Sequence, residues 1–209
     1  MKQAPSVRRT AITILTTIAA VLTLVMVSGC QSGSSSPPDR SDAQASMPAP
    51  VAARSDEPST PTTLRIGDSS APTDPVATDA AGVLLPPQNI ARLGWWADSA
   101  LPGSGAGTVV VTGHVDDVSQ GRGYAAKFAS LKVGDAIVLT TVDGQQHTYR
   151  VTKNNLTLKG DDGQPGALPV EELNRLTGPE TLALVTCGGP FVGPPLGYRD
   201  NVVVFAVPA

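Results

Sequence analysis

The length and charge balance of this chain set the first limits on its function. As a prior, 209 residues suggest one domain with attached segments rather than two complete domains. With 15 Lys and Arg against 18 Asp and Glu, and few basic residues clustered in the body of the chain, there is no electrostatic footprint for nucleic acid, and we exclude that partner. Aromatic residues make up only 4%, so a core must be built mainly from Val, Leu, Ile and Ala, and Val-rich runs favour strands.

The N-terminus has the pattern of an export segment. Lys2, Arg8 and Arg9 precede an uncharged, largely apolar stretch at residues 10–27. The stretch ends in Val27-Ser28-Gly29-Cys30, which resembles the lipobox of bacterial lipoproteins, where the Cys is lipidated and becomes the mature N-terminus. The alternative is an uncleaved transmembrane anchor, because the stretch approaches the roughly 17 to 25 residues that such a helix needs. Both interpretations place the rest of the chain outside the cytoplasm, attached to a bacterial cell membrane.

Composition divides the remainder into a tether and a folded domain. Residues 31–61 are rich in Ser, Pro, Ala, Asp and Gly and have scarcely a large apolar side chain, which predicts a flexible tether. Short Val-rich runs then alternate with turn residues, at 63–66, 82–85, 108–112, 136–141, 146–153, 181–186 and 201–207. This spacing predicts an all-β domain of seven or eight strands at residues 62–209, after a signal segment at residues 1–30.

Three local signals refine this prediction. Asp143-Gly144 lies between two strand-like runs and predicts a hairpin, since Gly readily adopts a positive φ. Residues 123–131 and 169–176 have the pattern of short helices. With two Cys and two His, the chain has too few soft ligands for a structural zinc site, and there is no phosphate-binding glycine motif. We therefore expect neither a metal nor a cofactor.

Cys187 is the candidate nucleophile. If Cys30 is an anchor, Cys187 is an unpaired thiol in an exported protein. It follows the strand-like run 181–186 and precedes Gly188-Gly189-Pro190, and glycines at this position would leave the sulfur at a rim that a substrate can approach. A buried Cys that serves as a small hydrophobic side chain, and a disulfide with Cys30, are the alternatives.

His114 and Arg199 are the candidate partners of the thiol. His114 lies just beyond the run 108–112, where an imidazole can exchange protons near neutral pH. Arg199 precedes the run 201–207. Cysteine acyl transfer needs a nucleophile, a proton carrier and a donor for the oxyanion, and these three residue types supply them. A surface histidine and an exposed loop cation are the simpler interpretations of the two positions.

Two other residues compete for these roles. His147 is the second histidine, but it lies within an alternating strand after the Asp143-Gly144 turn, where a half-exposed sheet position explains it. Arg122 is the nearest rival cation, in the Gly121-Arg122-Gly123 loop after His114, where the flanking glycines predict mobility.

Three segments resemble the signature segments of sortases, most like the actinobacterial class F, with class E next. They are Thr112-Gly113-His114-Val115-Asp116, Leu184-Val185-Thr186-Cys187-Gly188-Gly189 and Tyr198-Arg199-Asp200-Asn201-Val202-Val203-Val204. The resemblance extends from about residue 61 to the C-terminus and includes Gly94-Trp95-Trp96 and the stretch 102–107. The combination is far more specific than any single segment.

The resemblance implies a closed eight-stranded β-barrel with one or two short helices. It also implies that Cys187 is the nucleophile, His114 the general acid and base, and Arg199 the group that stabilises the oxyanion and the substrate. Thr186 and Gly188, beside the nucleophile, would bind substrate. The implied partners are a sorting signal of LPXTG type, cleaved between Thr and Gly, and an amine, usually of a peptidoglycan precursor, or water, which receives the acyl group. No cofactor is implied.

Two other functions are compatible with these residues. A thiol hydrolase or endopeptidase would use the same site with water as the acceptor. A lipoprotein binding module would use the barrel only as a scaffold, because a fold does not by itself dictate function. The joint presence of Cys, His and Arg favours an enzyme.

Overall fold

The computed structural model describes residues 47–159, 167–194 and 196–209. Its strands, in chain order, are β1 (Val51–Ala52), β2 (Pro61–Ile66), β3 (Ser69–Ala77), β4 (Leu93–Trp96), β5 (Thr108–Thr112), β6 (Asp116–Asp117), β7 (Gly121–Arg122), β8 (Ala136–Thr141), β9 (Gln146–Leu158), β10 (Thr181–Gly193) and β11 (Gly197–Pro208). A 3-10 helix at Tyr124–Ser130 and a short α-helix, α1 (Val170–Leu173), complete the regular structure of the described residues.

Eight of these strands close into a barrel. Neighbours pair in the order β3-β2-β8-β9-β11-β10-β5-β4, and a parallel pairing of β4 with β3 joins the two ends. Most pairs are antiparallel, but β5 and β10 run parallel. This confirms the predicted all-β, closed eight-stranded barrel with short helices, and closure removes the exposed edges that an open sheet would have.

Alternation along the strands divides the apolar residues between two faces. The barrel interior is filled by side chains such as Leu64, Trp95, Val109, Val111, Phe128, Leu182, Leu184 and Val204. A second, smaller cluster lies on the outer face of β5, β10 and β11 and contains Val110, Leu173, Ala183, Val203 and Phe205. Because α1 supplies Leu173 to this outer cluster, the helix covers one side of the barrel next to the candidate site.

Several strands agree with the sequence prediction, and others differ at their ends. The ranges of β5 and β8 match the predicted runs 108–112 and 136–141, and Gly144 takes a positive φ of 80° in the β8–β9 turn. However, β9, β10 and β11 extend beyond their predicted ends. Cys187 therefore lies within β10 rather than after it, and Arg199 lies within β11 rather than before it.

Two strands of the barrel were not predicted, and one predicted strand is wrong. The sequence of β3 carries Pro72 and Pro75 and lacks an apolar alternation, and β4 is only four residues long. The run 82–85 is not a strand: Asp79 accepts hydrogen bonds from the N–H groups of Ala81 and Val83, which turns the chain at Gly82, where φ is +79°.

Part of the stretch assigned to the tether contains regular structure. In β1, Val51 and Ala52 pair with Ala77 and Val76 of β3. Residues 31–46 of the tether and the whole signal segment, including Cys30, lie outside the described residues. Within the described part of the chain, no helix has both the length and the apolar character needed to span a membrane.

Candidate active site

Parallel register brings Cys187 and His114 side by side. Val185 of β10 lies opposite Thr112 of β5, and the Gly113 N–H donates to the Val185 carbonyl at 3.3 Å. Two residues further along the chain in each case are Cys187, still within β10, and His114, just after the end of β5. Both residues therefore lie at the same end of the β5–β10 pair, and both line one groove.

A buried hydrogen bond ties the end of β5 to the middle of β10. The hydroxyl of Thr186 donates to the carbonyl of Gly113 at 2.7 Å. Thr186 and Gly113 are the residues immediately before Cys187 and His114, so this bond holds the two candidate catalytic residues in register. Thr186, predicted to bind substrate, thus uses its hydroxyl within the fold, although it also lines the groove described below.

Glycines after Cys187 bring β10 close to β11. A Cβ added at Gly188, the second predicted substrate-binding residue, would lie 2.6 Å from Val202 Cγ2. A Cβ at Gly189, where φ is +71°, would lie 2.0 Å from Asp200 Oδ2. The register of β10 with β11 shifts beyond Gly188. This tight packing explains why glycines follow the thiol. Cys187 itself is partly exposed and is a free cysteine.

His114 occupies a partly buried position in which its charged form is disfavoured. Burial lowers the pKa of His114 below its ordinary value of 6.5, while the charges of Asp117 and Asp116 and the Pro86 backbone act in the opposite direction. Its Nε2 is buried and has no hydrogen-bond partner among the described residues. A neutral imidazole with one uncommitted nitrogen is suited to exchanging a proton with the thiol or with a substrate.

A groove of about 680 Å³ contains both Cys187 and His114. Its walls are mostly apolar and come from the segment 82–86, from β4 and β5, and from α1 with the residues beside it; they include Leu84, Leu85, Trp96, Val110 and Leu173. The indole Nε1 of Trp96 is buried and finds no acceptor among the described residues. The mostly apolar walls of the groove suit apolar side chains.

A second groove of about 660 Å³ begins just beyond His114, at Val115. The β6–β7 ribbon, with Asp116 and Arg122, forms one side, and Phe191 and Tyr198 form the other. The two aromatic rings meet edge to face with centroids 5.3 Å apart, and the Tyr198 hydroxyl donates to Asp116. The first groove contains both candidate catalytic residues, and the second groove continues from Val115, the residue after His114.

Arg199 is placed beside the site but is bound to its neighbour. Its Nε and Nη2 donate to the two carboxylate oxygens of Asp200 at 2.9 and 2.7 Å. Asp200 is buried, and the Arg199 guanidinium is the main cause that lowers the pKa of that carboxyl. Arg199 is not among the described residues that line the groove containing Cys187. The structure therefore brings two of the three predicted residues together, and leaves the third engaged in an ion pair.

A cation that sequence reasoning missed contacts the thiol. Lys159, the residue after β9, directs its Nζ to within 3.3 Å of Cys187 Sγ. Nothing in the local sequence marks this lysine, because the contact depends on the register of three strands. His147, the competing histidine, lies at the other end of β9, against Gly103.

No group of three or more His, Cys, Asp or Glu side chains in the described residues is arranged to hold a metal ion.

Comparisons with known proteins address the family and the fold. The family model described as Sortase domain matches residues 70–209. Among solved structures, sortase C-1 of Actinomyces oris is similar with a TM-score of 0.52 and 19% identity, covering 70% of this chain and 72% of that one. Sortase C-1 of Streptococcus pneumoniae is similar with a TM-score of 0.52 and 15% identity, covering 71% and 66%. No curated protein matches the sequence.

Proposed function

Because this chain belongs to the sortase family, and so to a family of cysteine transpeptidases, we propose that it is a cell-surface enzyme that cleaves an LPXTG-like sorting signal and passes the acyl group to an amine of the cell wall. The observation that carries the proposal is that Cys187 and His114, placed by the pairing of β5 with β10, line the same groove. The three signature segments favour class F, with class E next.

The apolar groove fits the first residues of such a signal. Leu84, Leu85 and Trp96 offer an apolar surface on which a Leu-Pro pair can pack, away from water. A peptide in this groove would reach Cys187 with its scissile carbonyl.

In the first half-reaction, the thiol proton of Cys187 moves to His114, and the thiolate attacks the carbonyl carbon between Thr and Gly. A C–S bond forms and the carbonyl oxygen takes up the electron pair as an oxyanion. Arg199 is proposed to stabilise this negative charge, which requires its guanidinium to engage the substrate as well as Asp200. The C–N bond then breaks, and the imidazolium of His114 gives its proton to the departing amine. The product is a thioester on Cys187.

In the second half-reaction, an amine acceptor enters from the second groove and attacks the thioester carbon. Its proton passes to the neutral His114, a C–N bond forms, the C–S bond breaks, and the imidazolium then returns that proton to the Cys187 sulfur. The carboxylates of Asp116 and Asp117 beside this groove suit an ammonium group on the way to the site. With water as the acceptor, the same steps release a carboxylic acid, which is the hydrolase alternative.

Replacing Cys187 tests the proposal. We expect Cys187→Ala to abolish both transfer and hydrolysis with the fold intact, because loss of the nucleophile removes the covalent route. The assay incubates the full chain with an LPXTG peptide and triglycine, and resolves transfer product, hydrolysis product and the Cys187 thioester by mass spectrometry. Only hydrolysis product would favour the hydrolase. Binding of the peptide without turnover would favour the binding module, and turnover by Cys187→Ala would overturn the cysteine mechanism.

The proposed location is the outer face of a bacterial cell membrane, with Cys30 as the lipid-modified N-terminus. The segment Val27-Ser28-Gly29-Cys30 supports this proposal. A single acyl chain anchors only marginally, so we expect more than one on this residue. Mass spectrometry of the N-terminal peptide is the test, and an unmodified chain that still carries residues 1–29 would favour the transmembrane anchor.

A further inference from the structure

We propose that Lys159 is a further catalytic residue, whose ammonium pairs with the sulfur of Cys187 and favours the thiolate. The inference rests on the proposed function, because it concerns the same site. The carrying observation is the 3.3 Å contact between Lys159 Nζ and Cys187 Sγ. The same Nζ lies 3.5 Å from the carbonyl of Leu196, so two acceptors hold it in place. A cation in contact with a cysteine sulfur stabilises the thiolate, which is the reactive form.

The barrel register explains why this lysine reaches the thiol. The backbone N–H of Lys159 donates to the Arg199 carbonyl at 3.2 Å, which continues the pairing of β9 with β11 beyond Leu158. Two residues earlier, Thr157 lies opposite Asn201, and Asn201 lies opposite Cys187. Because residues two apart share a face of a strand, Lys159 and Cys187 lie on one face, and the lysine side chain crosses β11.

The other charged groups near the thiol are less suited to this role. His114, just after β5, lines the same groove as Cys187, but burial lowers the pKa of its imidazole and so disfavours a standing positive charge there. From β11, Arg199 is neutralised by its bidentate pair with Asp200. Lys159 is the cation that the described residues place in contact with the sulfur.

On the side of the second groove, the polar groups near the thiol are hydrogen-bonded to each other. The hydroxyl of Tyr198 on β11 donates to Asp116 of β6, and this carboxylate is the main cause that raises the pKa of Tyr198. The charge of Cys187 raises it further, while Arg122 of β7 lowers it. A thiolate at Cys187 would thus face a neutral phenol on this side and the Lys159 ammonium on the other.

The pairing has a role at both ends of the reaction. Before acylation, Lys159 offsets the charge of the attacking sulfur. In the thioester the sulfur is neutral, and when the acceptor attacks and the C–S bond breaks, the same ammonium stabilises the departing thiolate. Lys159 forms and breaks no bond in either step, so no additional co-reactant is required.

The test measures the reactivity of the thiol without any substrate. Full-length protein is treated with iodoacetamide across a pH series, and the alkylated Cys187 peptide is quantified by mass spectrometry, which separates it from Cys30. We expect Lys159→Met to move the midpoint of the rate profile upward by about one pH unit or more, because an opposite charge this close favours the ionised form by that order. Lys159→Arg should keep the midpoint near that of the wild type.

The matched control is Lys132→Met, which removes the same charge from an exposed position. Circular dichroism checks that each variant is folded. A midpoint that is unchanged in Lys159→Met, or that moves equally in Lys132→Met, overturns the proposal. A Lys159-dependent midpoint in a protein that never cleaves a sorting signal would keep the ion pair and reject the proposed reaction, so the two failures are distinguishable.

Discussion

The hydroxyl of Thr186 donates to the carbonyl of Gly113 at 2.7 Å, and this buried bond joins the residues just before Cys187 and His114. We expect Thr186→Val to lower the free energy of unfolding by about 1–3 kcal/mol, since the Gly113 carbonyl loses its donor. Turnover of a sorting-signal peptide should fall as well, because His114 is no longer held in register. Urea denaturation and the peptide assay measure the two effects. Thr186→Ser keeps the hydroxyl and should restore both, whereas a Val variant as stable and active as wild type would contradict this role.

The two histidines should differ in their importance for turnover. We expect His114→Gln to reduce turnover by about a hundredfold to ten-thousandfold, the range associated with loss of a positioned acid and base. Turnover of His147→Gln should stay close to that of the wild type, because His147 lies at the end of β9 that is far from the thiol. The near end of β9 carries Thr157, which lies opposite Asn201, and Asn201 lies opposite Cys187. Initial rates with one peptide compare the variants. The opposite ranking would assign the proton transfer to His147.

The charge state of His114 should depend on Asp117. Burial lowers the pKa of His114 below 6.5, and the carboxylate of Asp117 opposes that effect by favouring the imidazolium. Asp117→Asn removes the charge while keeping an Oδ1 acceptor for Ser119 and Gln120, so the pKa of His114 should fall further. NMR titration of the imidazole measures it, in a His147→Gln background that leaves His114 as the single histidine. A higher pKa in the Asn variant would show that another charge dominates.

The lowered pKa of His114 should also make the stability of the fold depend on pH. A folded-state pKa below the unfolded value means that the unfolded chain binds a proton more readily. Protonation of His114 should therefore lower the free energy of unfolding as the pH falls below 6.5. In His114→Gln this loss of stability below pH 6.5 should be smaller. Thermal unfolding at several pH values provides the measurement.

Arg199 should be needed for turnover if it stabilises the oxyanion. We expect Arg199→Ala to cost about a hundredfold to a thousandfold in turnover, and Arg199→Lys to be poorly active, because an ammonium cannot reproduce the guanidinium fork. Arg122→Ala, which removes an exposed cation from the β6–β7 ribbon, is the comparison. Folding must be checked by circular dichroism, since Asp200 is buried and loses its partner. Near-normal turnover without Arg199, with collapse on losing Arg122, would move the oxyanion role to the ribbon.

A buried carboxylate outside the site should matter for stability alone. Glu180 Oε1 accepts from the Tyr149 hydroxyl at 2.5 Å and from the Gly103 N–H at 3.0 Å, and Oε2 accepts from the Gly105 N–H at 2.7 Å. Glu180→Gln should lower the free energy of unfolding by about 1–3 kcal/mol, because an amide replaces one acceptor by a donor that faces an N–H or a hydroxyl. Exposed Glu171→Gln is the control for the charge change. Equal stability of the two variants would show that the network contributes nothing.

The sequence by itself determined the parts of this protein that depend on local pattern. Alternating Val-rich runs predicted β5 and β8 at their observed bounds, and Asp143-Gly144 predicted the hairpin between β8 and β9. The resemblance to sortases rested on segments that remain contiguous in the fold, so the family and the closed barrel followed from it. Cys187 and His114 could be named from the strand-like runs that precede them, although Cys187 proved to lie within β10 and their role in catalysis stays a prediction.

Only the tertiary structure decided what depends on pairing between distant segments. The polar, proline-containing β3 is a strand because β2 and β4 supply its partners, and no local apolar pattern reports that. The contact of Lys159 with Cys187 and the ion pair of Arg199 with Asp200 were likewise not predicted. A side chain that crosses one strand to reach the next depends on the register of three strands, and register is set by closure of the whole barrel rather than by neighbours in sequence.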